Sequence, residues 1–395
     1  MPIFELLFWK TEHQLVEEDF VTIGTRLKWA REAAGLTQRQ LSVETDIGVS
    51  TISEFESDTR GPSALQIVQL AAALQRSVDF FHQPGAPTAE VVLWRQRPTD
   101  APVERIQVQL LQLAEQFHRL EQLCGNPEPP QLEFASGDVT TFSLRKAEGL
   151  AHEFRNRYAL GERPGQVLLR VLEDVIGVKV FFLDFEPSGT AACTLSEKFG
   201  PAILLNGRNV SWRRNFDLAH ELFHLLTWKV FRSHSSLGTE VSTPREERLA
   251  DCFAGHLLVP DDALRTAITR QQREKTTLDF DDLFDVARQF AVSVPALVFR
   301  CQEEGIIHSD AADRVLTQIQ GRTHFWEKRK NFPPPKRPFR FEALAFEAIG
   351  KGLIGTGKFA DFMGISRHQA MKLLEEREDD FWQEGNIVEV EIADS

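Results

Sequence analysis

The sequence is poor in cysteine, and its cysteines are too scattered to build a site. Cys124, Cys193, Cys252 and Cys301 lie far apart in 395 residues, and no C-x-x-C spacing occurs. Disulfide-stapled secreted domains and cysteine zinc sites both require clustered cysteines. The pattern therefore argues against these two classes and predicts a protein of a reducing cytoplasm.

Long apolar runs are also lacking. No stretch approaches the roughly 18 apolar residues that a membrane-spanning helix needs. The first residues, MPIFE, show neither the basic region nor the apolar run of a secretion signal. We therefore expect no membrane span and no export.

Positive charge is in deficit, with 45 Lys and Arg against 58 Asp and Glu and a net charge of −13. An acidic protein is a poor non-specific binder of nucleic acid or anionic membrane, so any such contact needs a local basic patch. The length, and a composition that is 42% hydrophobic and 26% charged, are typical of a globular protein with two or three domains.

Residues 22–82 show a pattern of short helices joined by tight turns. Gly35 fits a helix stop and Thr37 fits the start of the next helix. A further short helix is predicted to start at Ser50, which gives a helix-turn-helix arrangement. The segments that carry this pattern resemble the Xre/Cro-type DNA-binding domain: GLTQ (35–38), GVS (48–50) and RGPS (60–63).

This resemblance places the helix that starts near Ser50 in the major groove of DNA. It implies base contacts from Ser50, Thr51, Ser53 and Glu54, and phosphate contacts from Gln38 and Arg39. Residues 19–82 nevertheless hold six Lys or Arg and eight Asp or Glu, whereas DNA affinity comes largely from neutralising phosphates. Two alternatives therefore stay open: DNA binding, or a dimerisation or protein-docking module.

The rest of the chain divides into three parts. Residues 83–142 are predicted to be a linker and helical connector, and residues 143–302 an α+β unit with an apolar strand at 178–183 and two more strands within 190–206. Residues 303–395 are predicted to be a helical C-terminal domain, with a possible second helix-turn-helix around Gly364. The predicted class is a multidomain, mainly α protein with all-α N-terminal and C-terminal domains.

Residues 325–340 are the most basic part of this acidic chain, with six basic residues, one acidic residue and several aromatics. A solvated linker is the ordinary interpretation of such a segment. Aromatic and basic side chains together also suit single-stranded nucleic acid, so a nucleic-acid contact is the alternative.

The stretch NFDLAHELFHLLTW (215–228) contains the pattern His-Glu-x-x-His. On a helix, His220 and His224 lie one turn apart on one face and can hold one Zn²⁺. Glu221 then lies beside the metal and can take the proton of an attacking water. The alternative is an amphipathic helix that carries two polar-face histidines, so the presence of a third ligand decides.

Position 230, where a metzincin carries its third histidine, is Val230. Downstream, Glu247 and Asp251 are four residues apart and share one helix face. This spacing resembles the gluzincin arrangement, in which the Glu binds zinc and the Asp accepts a hydrogen bond from a ligand histidine. Glu246 is the alternative third ligand, although it lies off the face of Asp251.

The combined region, residues 145–300, resembles the ImmA/IrrE family of metallo-endopeptidases. The matching segments are ILLN (203–206), R-x-F-x-L-A-H-E-L-x-H (214–224) and E-x-x-A-D-x-F-A-x-x-L-L-x-P (247–260). The resemblance implies an α+β zincin-like domain and a regulatory protease that cuts a repressor or an antitoxin.

The family pattern also implies roles for individual residues. His220, His224 and Glu247 would hold Zn²⁺, and Glu221 would be the general base. Asp251 would orient a ligand histidine. The strand residues Ala202, Ile203, Leu204 and Leu205 would form an edge that pairs with an extended substrate.

Two functions follow. The first is a site-specific zinc endopeptidase whose helix-turn-helix domain targets it to a repressor or antitoxin. The second is a DNA-binding transcriptional regulator whose zinc domain is sensory or structural. A homodimer is compatible with either. Glu221 favours the first function, because a purely structural metal site has no need of that carboxylate.

Overall fold

The structure of the chain is a computed structural model. It describes these residues: 21–83, 90–95, 97–98, 103–186, 191–232, 242–272, 277–319 and 332–383. No described helix is long and apolar enough to cross a membrane.

The N-terminal part forms the predicted helix-turn-helix. Its elements are α1 (Ile23–Ala33), α2 (Gln38–Thr45), α3 (Val49–Glu56), α4 (Ala64–Ala73) and a 3₁₀ turn (Val78–His82). The hydroxyls of Thr22, Thr37 and Ser63 cap the starts of α1, α2 and α4. Gly35 has a φ of +66°, the left-handed conformation that ends the first helix cheaply. The helices enclose a small core of their own, formed among others by Leu27, Leu41, Ile52, Phe55 and Leu70.

A mixed four-stranded sheet lies at the centre of the remaining chain. Its strands are β1 (Val92–Trp94), β2 (Lys179–Leu183), β3 (Ala191–Ser196) and β4 (Gly200–Asn206), in the order β1-β3-β4-β2. β1 and β4 both run antiparallel to β3, and β2 runs parallel to β4. The sheet confirms the three strands that the sequence predicts between residues 178 and 206.

The expected edge strand is wrong. β4 pairs with β3 on one side and with β2 on the other, so its hydrogen-bonding groups are used within the sheet. Ala202, Ile203, Leu204 and Leu205 are buried on both faces. A continuous apolar run is typical of such an interior strand. The sheet edges are β1 and β2, and β1 falls inside the segment predicted to be a linker.

One face of the sheet is covered by the helices that bear the predicted site. They are α6 (Leu144–Arg157), α8 (Ser211–Leu226) and α10 (Pro244–Leu258). Smaller elements complete this layer: α7 (Leu168–Arg170) with a π turn (Val171–Ile176), α9 (Trp228–Arg232), α11 (Asp261–Gln272), α12 (Phe280–Phe290), α13 (Val294–Glu303) and α14 (Ser309–Ile319).

The other face is covered by the connector and by the C-terminal helices. α5 (Val103–Leu123) packs there with α15 (Phe339–Gly350), α16 (Thr356–Met363) and α17 (Arg367–Gln383). Gly364, with a φ of +53°, makes the turn between α16 and α17, as its position predicts. The described C-terminal helices therefore share a core with the sheet.

The basic segment 325–340 is only partly visible, because residues 325–331 lie outside the described residues. In the described part, Arg337 donates to the carbonyl of Met363 and Arg340 bonds the carboxylate of Glu121. These two guanidinium groups are engaged within the protein, so they do not form the exposed nucleic-acid surface considered from the sequence.

Candidate metal centre

Two packed helices build the site. The last two and a half turns of α8, from Asp217 to Leu226, are buried against β3, β4 and α10. α10 starts at Pro244, where Thr243 caps the helix by accepting a hydrogen bond from the amide of Glu246. Its first turn, with Glu246 and Glu247, faces the two histidines of α8, and the helix N-terminus favours carboxylates there.

The three predicted metal ligands converge. His220 Nε2 lies 3.1 Å from Glu247 Oε2, His224 Nε2 lies 3.3 Å from Glu247 Oε1, and the two Nε2 atoms are 3.2 Å apart. Two imidazole nitrogens and one carboxylate at such separations can surround one metal ion, with ligand distances of about 2 Å. His220, His224 and Glu247 are one of two described groups of side chains that could hold a metal.

Carboxylates hold the far side of both imidazoles. His220 Nδ1 lies 2.9 Å from Asp251 Oδ1, and His224 Nδ1 lies 2.9 Å from Glu246 Oε1. An imidazole that donates from Nδ1 presents its Nε2 lone pair to a metal. Glu246 is also bound by Arg232 at 2.8 Å. It therefore orients a histidine, and Glu247 is the acidic residue that reaches the Nε2 atoms.

The electrostatics favour a charged carboxylate at the ligand position. Burial raises the pKa of Glu247, but hydrogen bonds from His220 and His224 outweigh it and hold the pKa well below its usual range. Burial lowers the pKa of His224, but the carboxylates of Glu246 and Glu247 outweigh it and raise that pKa to about 9. Metal binding to His224 and Glu247 would therefore release a proton.

Glu221 lies on the same helix between the two histidines and is completely buried. Apart from the weak thiol donor of Cys193, its carboxylate oxygens have no hydrogen-bond partner among the described residues. Burial raises its pKa, although the neighbouring His224 and His220 counteract this. A buried carboxylate with so weak a partner is costly. It fits a site in which the charge of a metal ion and a reacting molecule supply the missing partners.

The donor set suits zinc. Two imidazole nitrogens and one carboxylate, with a coordination position left for the reacting molecule, are the ligands of catalytic zinc sites. A catalytic zinc site also needs imidazoles oriented through Nδ1 and a carboxylate beside the metal, and this chain supplies both, the second from Glu221.

Two participants were missed by the sequence reasoning. Arg95, next to β1, donates to Asp217 Oδ1 at 2.5 Å and to Asp251 Oδ1 at 2.9 Å. It thereby joins α8 to α10 beside His220. The sequence indicates Asp217 only weakly as a site residue: it is an acid on an apolar helix, one turn before Glu221. Arg95 gives none, because its partners lie more than 120 residues away.

The residues expected to contact DNA lie on α2 and α3. Arg39, Ser50, Ser53 and Glu54 are exposed, and Thr51 is half-buried. Gln38 is half-buried and donates to Glu56 at 2.8 Å. The outer surface of α3 thus carries serines and an acid, with no basic side chain.

Comparison with known families identifies two domains in the chain. A helix-turn-helix family model matches residues 27–81, and the Peptidase_M78 model, described as an IrrE N-terminal-like domain, matches residues 173–302. The chain joins a helix-turn-helix domain to a Peptidase_M78 domain. The Peptidase_M78 match spans the three predicted metal ligands and Glu221, and it begins well after β1.

One relative matches the N-terminal part. Over 60 residues the chain is 33% identical to the HTH-type transcriptional regulator ImmR of Bacillus subtilis (strain 168), which is 15% of this chain and 47% of ImmR. The match therefore spans about half the length of that relative. Among solved structures, the apo form of the competence regulator ComR from Streptococcus vestibularis aligns over 84% of this chain and 98% of its own. Its identity is 11% and its TM-score 0.15, too low to support a structural argument.

Proposed function

We propose that this protein is a regulatory zinc endopeptidase that cuts a specific protein, such as a transcriptional repressor or an antitoxin. One observation carries the proposal: the buried carboxylate of Glu221 meets only the weak thiol donor of Cys193, next to three converging side chains that could hold a metal. A site that only stabilised the fold would not need a carboxylate held at this cost.

The side chains divide the work. His220, His224 and Glu247 would hold Zn²⁺, which would supply Lewis-acid polarisation of the peptide carbonyl and acidify the attacking water. Glu221 would accept the proton of that water and later deliver it to the leaving amine. Asp251 and Glu246 would keep the two imidazoles oriented through Nδ1.

New protein N-termini provide the test. Cells expressing the wild-type chain are compared with cells expressing Glu221→Gln, with and without DNA damage. The amide of Gln keeps the shape of the side chain but cannot accept the proton, so we expect peptide ends that depend on Glu221 and equal metal content in both proteins. Equal sets of ends under every condition would contradict the proposal.

A second function is favoured by the N-terminal domain. Its match to a transcriptional regulator supports operator binding through residues 22–82, with the metal domain as a sensor. Against it stands the lack of basic residues on α3, because phosphate neutralisation dominates DNA affinity. DNA binding that stays unchanged in Glu221→Gln, together with no Glu221-dependent cleavage, would favour this function.

A further inference from the structure

The sheet of the Peptidase_M78 domain is completed by a strand from outside that domain. The matched region starts at residue 173 and contains β2, β3 and β4, whereas β1 belongs to the connector from the helix-turn-helix domain. Without β1, the open edge of the sheet would be β3. β1 pairs antiparallel with β3 and places Leu93 opposite Cys193.

This edge borders the metal centre. Cys193 is fully buried, and its thiol lies within hydrogen-bonding reach of the Glu221 carboxylate, so the two side chains are neighbours. Leu93 packs on the same sheet face, in the core that contains the apolar side of α8. Arg95 then reaches Asp217 and Asp251. β1 and the residue that follows it thus extend from beside Glu221 to beside His220.

The space in front of the ligands is also partly formed by this segment. A cavity of about 450 Å³ is lined by Trp94, Arg95, Arg97 and Gln107 on one side and by Ser242, Pro244 and Glu247 on the other. Glu247 is the most exposed of the three ligands, with a quarter of its side chain accessible. The approach to the metal position therefore passes the end of β1.

We propose that β1 occupies the edge of β3 on which an extended peptide substrate would dock, so that the described conformation is autoinhibited. The inference rests on the proposed endopeptidase function. An extended peptide paired antiparallel with β3 would use the same backbone groups that β1 now uses. Substrate and β1 then exclude each other, and cleavage requires β1 to leave β3.

The helix-turn-helix domain is attached to the element that anchors β1. Val92 and Trp94 pack on the opposite sheet face, in the core that contains α5. At the start of α5, Arg105 bonds Glu44 of α2, and the side chain of Glu104 lies against Gly35. A partner bound by the N-terminal domain would therefore act on the connector that holds β1 in place.

A reversible lock tests mutual exclusion. Leu93→Cys places a second thiol opposite Cys193, and directly opposed residues in antiparallel strands are close enough for a disulfide. The zinc-loaded full chain is assayed on unfolded casein after diamide oxidation and again after reduction. We expect the oxidised variant to cleave casein at least about tenfold more slowly than the same variant after reduction. The wild-type protein should cleave casein at the same rate after oxidation and after reduction. Equal rates in the two states of the variant would overturn the proposal.

Release of the strand is measured without catalysis. Arg95→Ala removes the ion pairs with Asp217 and Asp251 that hold the end of β1. Arg119→Ala, which removes an exposed arginine of α5, is the control. Alkylation of each cysteine is followed by mass spectrometry, with buried Cys301 as internal reference. We expect alkylation of Cys193 to be about tenfold faster in Arg95→Ala only. A rate at Cys193 equal to that of wild type contradicts the proposal.

The two measurements separate the proposals. If no form of the chain cleaves casein and no Glu221-dependent N-terminus appears in cells, the endopeptidase function fails, and the docking edge is judged by protection alone. A synthetic peptide of residues 90–95, added to Arg95→Ala, should then slow the alkylation of Cys193. Absence of protection would overturn the docking edge as well.

Discussion

Two groups of histidines and carboxylates lie along α10, and their surroundings differ. The first is His220, His224 and Glu247. The second is Glu148, His152, His256 and Asp261, whose ligand atoms all lie within 4.8 Å of one another. Glu247 and His256 stand on the same helix, nine residues apart. By composition, both groups could hold a metal.

The two groups differ in what contacts the Nδ1 atoms of their imidazoles. In the first group each Nδ1 meets a carboxylate. In the second, Arg155 donates to His152 Nδ1 at 3.1 Å, so the neutral ring carries its hydrogen on Nε2, the atom 3.6 Å from Asp261. Arg300 lies 2.5 Å from Asp261 and already supplies a positive charge. The outer contacts therefore decide which group presents lone pairs to a metal.

The largest expected effect is on metal content. His224→Ala removes one of three ligands and should reduce the affinity for zinc at least about 1,000-fold, leaving the purified chain without metal. His152→Ala, the matched change in the second group, should leave one zinc per chain. Elemental analysis of both proteins tests this, and two metal ions per wild-type chain would refute the comparison.

A smaller effect is expected from the carboxylate behind His220. Asp251→Ala leaves the ligands in place but frees the ring, so zinc affinity should fall about 10- to 100-fold, as measured by competition with a chelator. Asp251→Asn keeps an oxygen that can accept from Nδ1 and should lose less. Equal losses in both variants would show that the charge of Asp251, rather than its hydrogen bond, supports the site.

The smallest effect concerns the second group and pH. Burial and the charge of Arg300 lower the pKa of His256 in the folded protein. The unfolded chain binds the extra proton below its ordinary pKa of 6.5, and folding stability is therefore lost as pH falls below that value. The change in Tm between pH 8 and pH 5 should be smaller in His256→Gln than in wild type. An identical change in the two proteins would contradict this.

The sequence predicts the parts of the site that local periodicity controls. His220, Glu221 and His224 share one helix, and Glu247 and Asp251 share another, so spacing alone groups them correctly. The strand order is different, because it depends on pairing between distant segments. β1 and β3 are about 100 residues apart. The three apolar residues of β1 stand in a segment that contains several prolines, which gives a weak strand signal. A fully apolar β4 could have been recognised as interior.

The buried cluster between the sheet and its outer layer shows how far the chain acts as one unit. Lys179 of β2 pairs with Glu121 of α5 at 2.9 Å, and Arg340 of α15 bonds the same carboxylate; Lys179 and Glu121 are almost completely buried. A gene fragment cut at the borders of the Peptidase_M78 match would keep Lys179 and discard its partner Glu121, leaving an uncompensated charge in the interior. Cloning, domain exchange or gene splitting at those borders should therefore give insoluble protein. Recombination that keeps the fold intact is expected to move the connector, the peptidase region and the C-terminal helices together.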